Sequence, residues 1–231
     1  MKRGPGLIIF DLDGTLIDAR HNLKENINYA LKMNGYAPVT GNRIFTLIGH
    51  PLIDIYKIIL PKKDAYIAAK LVKDYRKRYK KTCHIGVKIL SGVEKTLEAF
   101  KRNGFGIAMA TAKGEAQTKL LLKRLGLRKY FDLVVGYRYG KSQLRPKPHP
   151  DMILHIMKHL KFNRNRTIMV GDTQLDIRAG RNARVRTIAV KTGVKLGISR
   201  LEELKKARPD AIIGSVSTLA GRLKKYGFDI Y

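Results

Sequence analysis

The chain has 231 residues, 44% of them hydrophobic and 28% charged, enough to bury a substantial core as one large domain or as a core with an insertion. Its 47 Lys and Arg against 18 Asp and Glu give a formal charge of +29, a field that attracts anions, whether nucleic acid or phosphorylated small molecules. It carries no zinc-finger spacing, Arg/Gly-rich arm or aromatic-glycine RNA-binding pattern, and the basic residues are spread along the whole chain, so the charge points to an anion before it points to nucleic acid. No apolar run reaches transmembrane length, and Met1-Lys2-Arg3-Gly4-Pro5-Gly6 leads into a short apolar run without a signal-peptide pattern. Cys83 is the sole cysteine, which excludes internal disulfides; a cytoplasmic setting without a membrane partner is expected, and the oligomeric state is left open.

In chain order, Leu7-Ile8-Ile9-Phe10 has the length and β-branched character of a buried strand. Asp11 and Asp13 follow where that strand should end, with Gly14 and Thr15 able to turn the chain. Two acids one residue apart suit a divalent cation or a nucleophile and acid pair; taken alone, a strand-end turn with solvated aspartates fits equally well. Residues 18–88 read as helical. Leu23, Ile27, Ala30 and Leu31 recur at helical spacing, and Gly35 marks a stop. Ile44, Leu47 and Ile48 suggest a second helix, and Leu52, Ile55, Tyr56 and Ile59 a third ended by Pro61. Residues 67–79 make a fourth, whose outer face is assigned Lys70, Lys73, Arg76, Lys77, Arg78, Lys80 and Lys81. This is the pattern of an inserted helical bundle.

From residue 89 the pattern alternates. Helices are expected over 93–102, 116–125, 151–160, 175–182 and 217–224, and strands over 105–110, 131–135, 167–170, 186–190 and 211–213, with 193–209 a loop holding a short charged helix. Such alternation predicts an α/β fold, a parallel sheet with helices on both faces, in which all strand carboxyl ends lie along one edge. That edge gathers Asp11 and Asp13 from the first strand, Thr111 from the strand over 105–110, and Asp172 with Asp176 from the strand over 167–170. Lys147 precedes a helix in the rigid segment Lys147-Pro148-His149-Pro150. Each has a plain alternative: Thr111 as a helix N-cap, Asp172 and Asp176 as a cap and a partner of Arg178 or Arg181, and Lys147 as a solvated cation.

These residues resemble the four motifs of the haloacid dehalogenase superfamily of phosphotransferases: Asp11-Leu12-Asp13-Gly14-Thr15-Leu16, then the strand ending at Thr111, then Lys147, then Gly171-Asp172-Thr173-Gln174-Leu175-Asp176. The resemblance covers essentially the whole chain and implies a Rossmann-like core (1–17 and 89–231) with a helical cap (18–88). Tyr75-Arg76, Tyr79 and Ser91-Gly92-Val93 resemble the cap exit of phosphoglycolate phosphatase-like members. The resemblance implies Asp11 as the nucleophile that forms an aspartyl phosphate and Asp13 as the acid and then the base. Thr111, the backbone amide of Ala112 and Lys147 would bind the phosphoryl oxygens. Asp11, the main-chain carbonyl of Asp13 and Asp172 would hold Mg²⁺, with Asp176 orienting metal-bound water.

An acid at position 13 favours phosphoryl transfer over carbon–halogen cleavage. Thr111-Ala112-Lys113 replaces the T-N-K of many relatives, and the cap is more basic than is usual. Arg20, His21, Arg43 and His50 are the candidates for choosing the leaving group, Arg43 as a second anion clamp. The expected activity is an Mg²⁺-dependent phosphatase for a small phosphorylated metabolite, a phosphoglycolate-like substrate being favoured. Alternatives are a phosphatase for pyrophosphate, nucleotides or nucleic-acid ends, a sugar phosphomutase, and a non-enzymatic anion or nucleic-acid binding protein. The mutase reading is weakened by Leu23, which stands where relatives of that kind often carry a histidine, with His21 close by.

Overall fold

The computed structural model describes residues 5–138 and 144–224. Strand β1 (Leu7–Phe10) is fully buried and lies inside a six-stranded sheet with β4 (Gly106–Gly114), β5 (Leu133–Tyr137), β6 (Thr167–Gly171), β7 (Arg186–Val190) and β8 (Ala211–Ile213). The spatial order is β5-β4-β1-β6-β7-β8, with every pairing parallel. Alternate residues of β1 serve opposite faces: Ile8 and Phe10 join one hydrophobic cluster, Leu7 and Ile9 the other. A strand buried on both sides must read as a continuous apolar run, which is why Leu7–Phe10 stands out in the sequence.

Because β1 pairs with β4 on one side and β6 on the other, successive connections leave the sheet in opposite directions from it. That switch point opens a crevice beyond the carboxyl ends of β1, β4 and β6. Helices α5 (Val93–Arg102), α6 (Glu115–Arg124), α7 (Asp151–Leu160) and α8 (Gln174–Asn182) make the crossovers; α9 (Thr192–Lys195), α10 (Leu201–Lys206) and α11 (Leu219–Leu223) complete the last third.

Between β1 and α5 the chain forms α1 (Arg20–Met33), α2 (Gly41–Phe45), α3 (Leu52–Ile59), a 3-10 turn (Lys62–Ile67) and α4 (Ala68–Thr82). Leu23, Ile27, Ile55, Leu71 and Tyr75 of this segment belong to the same hydrophobic cluster as Ile8 and Phe10. Asn22 Nδ2 donates to the carbonyls of Thr82 (2.6 Å) and Ile85 (2.9 Å), fastening the start of α1 to the end of α4. The chain enters and leaves this segment through a two-stranded antiparallel ribbon, β2 (Ile17–Asp18) against β3 (Lys88–Ile89), so the expected boundaries at 17/18 and 88/89 fall inside one ribbon.

Candidate active site

Asp11 leaves the end of β1 with its N–H bonded to the Val170 carbonyl at 3.0 Å, which fixes the backbone between β1 and β6. Its side chain is buried, and Lys147 Nζ donates to its Oδ1 at 2.7 Å. Lys147, itself buried, also donates to Asp176 Oδ1. The segment that carries Lys147 is held by Asn182 Nδ2 on the Pro148 carbonyl (2.9 Å) and by Arg145 on Asp151 (3.0 Å). Burial pushes the Asp11 carboxyl up to about 7, Lys147 opposes that rise, and Asp176 adds to it. Burial also disfavours the charge on Lys147, but Asp11 and Asp176 outweigh it and hold the ammonium above its ordinary range.

Asp172, at the end of β6, is fully buried. Thr15 Oγ1 donates to its Oδ1 at 2.6 Å, whereas its Oδ2 has no hydrogen-bond partner. Burial first, then Asp176 and Asp11, drive its carboxyl well above the usual range. Gly14 makes this packing possible: its φ is +87°, and a Cβ there would fall on Asp172 Oδ2. Asp176 opens α8 in a capping box with Thr173, its Oδ2 accepting from Thr173 N (3.0 Å) and Thr173 Oγ1 (2.8 Å). Neither Asp172 nor Asp176 pairs with Arg178 or Arg181; Arg181 instead donates to the Arg208 carbonyl.

Carboxylate oxygens of Asp11, Asp172 and Asp176 lie within 4.8 Å of one another. Three buried acids against one lysine leave negative charge uncompensated, and the unpartnered Asp172 Oδ2 sits in a glycine-backed cradle. This donor set fits a hard divalent cation. Both oxygens of Asp176 are already engaged by Lys147 and Thr173, which suits an orienting position outside the ion's own ligands.

On the other side of the crevice, Lys113 Nζ meets Asp13 Oδ2 at 2.9 Å, and Asp13 Oδ1 has no hydrogen-bond partner. Burial lowers the Lys113 ammonium's preference for charge, but Asp13 more than restores it. Thr111 is buried within β4, which runs on to Gly114 through a register irregularity, so it is a strand residue and not a helix N-cap. Its Oγ1 accepts from the Lys113 N–H at 3.3 Å. A cleft with about 50 Å³ of room for water joins these groups: Asp11, Asp13, Thr111, Ala112 and Lys113 form its floor, and His50 and Arg76 come from the helical segment.

Of the four cap residues singled out in sequence, His50 alone lines this cleft. Arg20 is drawn away by Asp18 (2.9 Å) and the Leu196 carbonyl (2.7 Å). His21 is exposed beside Gly86, and Arg43 is exposed with its guanidinium near the Ile58 and Ile59 carbonyls. Arg76, assigned to the outer face of α4 on charge alone, faces inward. Its place was legible in the spacing, four residues after the buried Val72 and three before the buried Tyr79. The pairing of Lys113 with Asp13 and of Thr15 with Asp172 left no such signal, since both join residues far apart in sequence.

Comparison with known proteins accords with this geometry. Residues 8–190 match the family described as haloacid dehalogenase-like hydrolase. The chain belongs to that family. It is 31% identical over 208 residues to the phosphoglycolate phosphatase of Aquifex aeolicus, covering 90% of this chain and 94% of that one. It is 32% identical over 207 residues to PpaX of Caldanaerobacter subterraneus subsp. tengcongensis, a pyrophosphatase by assignment, with 89% of each covered. The crystal structure of a predicted phosphatase from Clostridium acetobutylicum superposes with a TM-score of 0.81 at 26% identity, covering 95% of this chain and 98% of that one. Members of this family with such names are phosphatases, and no helix among the described residues is long and apolar enough to cross a membrane.

Proposed function

We propose that the protein is an Mg²⁺-dependent phosphatase that hydrolyses a small phosphorylated metabolite through an aspartyl phosphate on Asp11. The observation that carries this reading is the division of labour between two acids one residue apart. Asp11 is buried against Lys147 and two further carboxylates, whereas Asp13 stands on the cleft floor beside Lys113 with one oxygen unengaged. Asp11 Oδ attacks phosphorus as the bond to the leaving oxygen breaks, and Asp13 gives that oxygen a proton. Asp13 then takes a proton from the water that attacks the aspartyl phosphate, which frees inorganic phosphate and restores Asp11. Lys147, the Thr111 hydroxyl and the Ala112 backbone amide receive the phosphoryl oxygens. Asp11, the Asp13 main-chain carbonyl and Asp172 would hold Mg²⁺, with Asp176 outside them. When bound, the ion supplies the positive charge that lets an anionic nucleophile meet an anionic phosphate.

Residues 18–88 act in this reading as a cap over the core, with the β2–β3 ribbon as the connection, and the cytoplasm is the expected compartment. A phosphoglycolate-like substrate is favoured by the Aquifex relative. A pyrophosphate substrate is the second reading, supported by the charge of +29 and by the PpaX relative. The test is phosphate release from an aryl phosphate with and without Mg²⁺, for the protein and for Asp11→Asn. Release that needs the ion and vanishes in the variant is expected; release undiminished in Asp11→Asn would refute the nucleophile.

A further inference from the structure

Of the charged side chains that line the cleft, one has no ionic partner. Asp13 is matched by Lys113, and Asp11 by Lys147. Arg76 is half-buried on α4, lines the same cleft, and has no carboxylate or carbonyl partner among the described residues. A guanidinium partly withdrawn from water without a counter-charge is costly; the lysines of the same helix are exposed, and its other half-buried arginine, Arg78, lies over the Tyr29 ring at 4.4 Å. The local packing shows where it points. A Cβ at Gly114, beyond Thr111 on β4, would lie 3.9 Å from Arg76 Nη2 and would also fall on Gln117 Oε1. The guanidinium and the Gln117 amide therefore converge over a backbone that lacks a side chain, at Gly114, which lines the same cleft three residues beyond Thr111. Apart from His50, the cap wall is lined mainly by apolar side chains, among them Leu23, Ile53 and Val72.

We infer that Arg76, with Gln117 beside it, is the receptor for a second anionic group on the substrate's leaving-group side. The substrate class is then a short phosphate ester or anhydride that carries a carboxylate or a second phosphate, small enough for a cleft of this size. The planar fork of arginine suits either anion through paired N–H donors. This places the second anion clamp on Arg76 and not on Arg43, which is exposed at the Ile58 and Ile59 carbonyls. The inference rests on the phosphatase reading and narrows it.

The experiment compares kcat/KM for three substrates, 2-phosphoglycolate, inorganic pyrophosphate and ethyl phosphate, in the protein, Arg76→Ala and Arg76→Lys. The unmodified protein should prefer at least one of the two anion-bearing substrates to ethyl phosphate. In Arg76→Ala that preference, taken as a ratio, should fall by about 10- to 100-fold, as expected for losing a charge-assisted contact, and Arg76→Lys should keep part of it. Which of the two substrates shows the loss identifies the anion as carboxylate or phosphate. An equal loss on all three substrates, an unchanged ratio, or an unmodified protein without preference would each overturn the inference. An unmodified protein without preference overturns the inference even where a variant fails to fold. Turnover of ethyl phosphate without preference leaves the phosphatase reading standing, whereas no turnover of any substrate removes both.

Discussion

Thr15 illustrates how one residue carries both fold and site. Its hydroxyl donates to Asp172 Oδ1 at 2.6 Å in a fully buried setting, leaving the other oxygen of Asp172 for a ligand. Thr15→Val keeps the shape and removes the donor. It should cost about 1–3 kcal/mol of stability, read by chemical denaturation, because the Asp172 oxygen is left unsatisfied. The Mg²⁺ concentration for half-maximal activity should rise about 10- to 100-fold, the usual effect of removing a group that orients a ligand. Unchanged Mg²⁺ dependence would separate Asp172 from the ion. At this scale the sequence was most legible where chemistry is carried by neighbours in the chain. Asp11 and Asp13, or Asp172 and Asp176, can be read from spacing and strand ends. Lys113 on Asp13, Thr15 on Asp172 and Lys147 on Asp11 depend on which strand ends meet, and periodicity does not contain that.

At the scale of elements, two connections hold the site in place. The start of α8 is capped by Thr173, whose hydroxyl also donates to the Asp176 oxygen not taken by Lys147. Thr173→Ala should destabilise the protein by about 1 kcal/mol while Thr173→Ser restores it, since only the hydroxyl is needed; thermal or chemical unfolding reads the difference. The second connection is the entry to the helical segment, where Asp18 accepts from the Arg20 side chain at 2.9 Å and Arg20 reaches the Leu196 carbonyl. Those bonds hold the Asp18 carboxyl below the usual carboxylate range, so the stability it lends is full above that range and is lost as pH falls through its lowered value. Asp18→Asn should flatten that part of the acid limb of the stability profile; an unaltered limb would show that the pair contributes nothing. The long helices and buried strands were legible from periodicity, with most ends shifted by a residue or two; β4 runs four residues past its expected end, to Gly114, and α4 three, to Thr82. The β2–β3 ribbon was not, because two-residue strands are too short to show alternation. Arg76 was misplaced for a related reason, since charge on an amphipathic helix argues for solvent until a cleft is known to lie beneath it.

For the whole molecule, the charge of +29 bears on rate more than on fold. An excess of 47 basic over 18 acidic residues should speed the encounter with an anionic substrate. kcat/KM should therefore fall as ionic strength rises, while kcat at saturating substrate changes little. A kcat/KM insensitive to salt would mean that the surface charge does not steer substrate. The family is carried by the sheet order and the motif set together, whereas the cleft closes only where helices of residues 18–88 meet the ends of β1 and β4, which the sequence shows only as separate elements.

If Asp11 carries the phosphoryl group during turnover, rapid acid quench of the protein reacting with labelled substrate and Mg²⁺, followed by peptide mapping, should find it there. One acid-stable, base-labile phosphoryl group on Asp11 is expected, absent from Asp11→Asn. A label on another residue, or full turnover by Asp11→Asn, would contradict that role of Asp11.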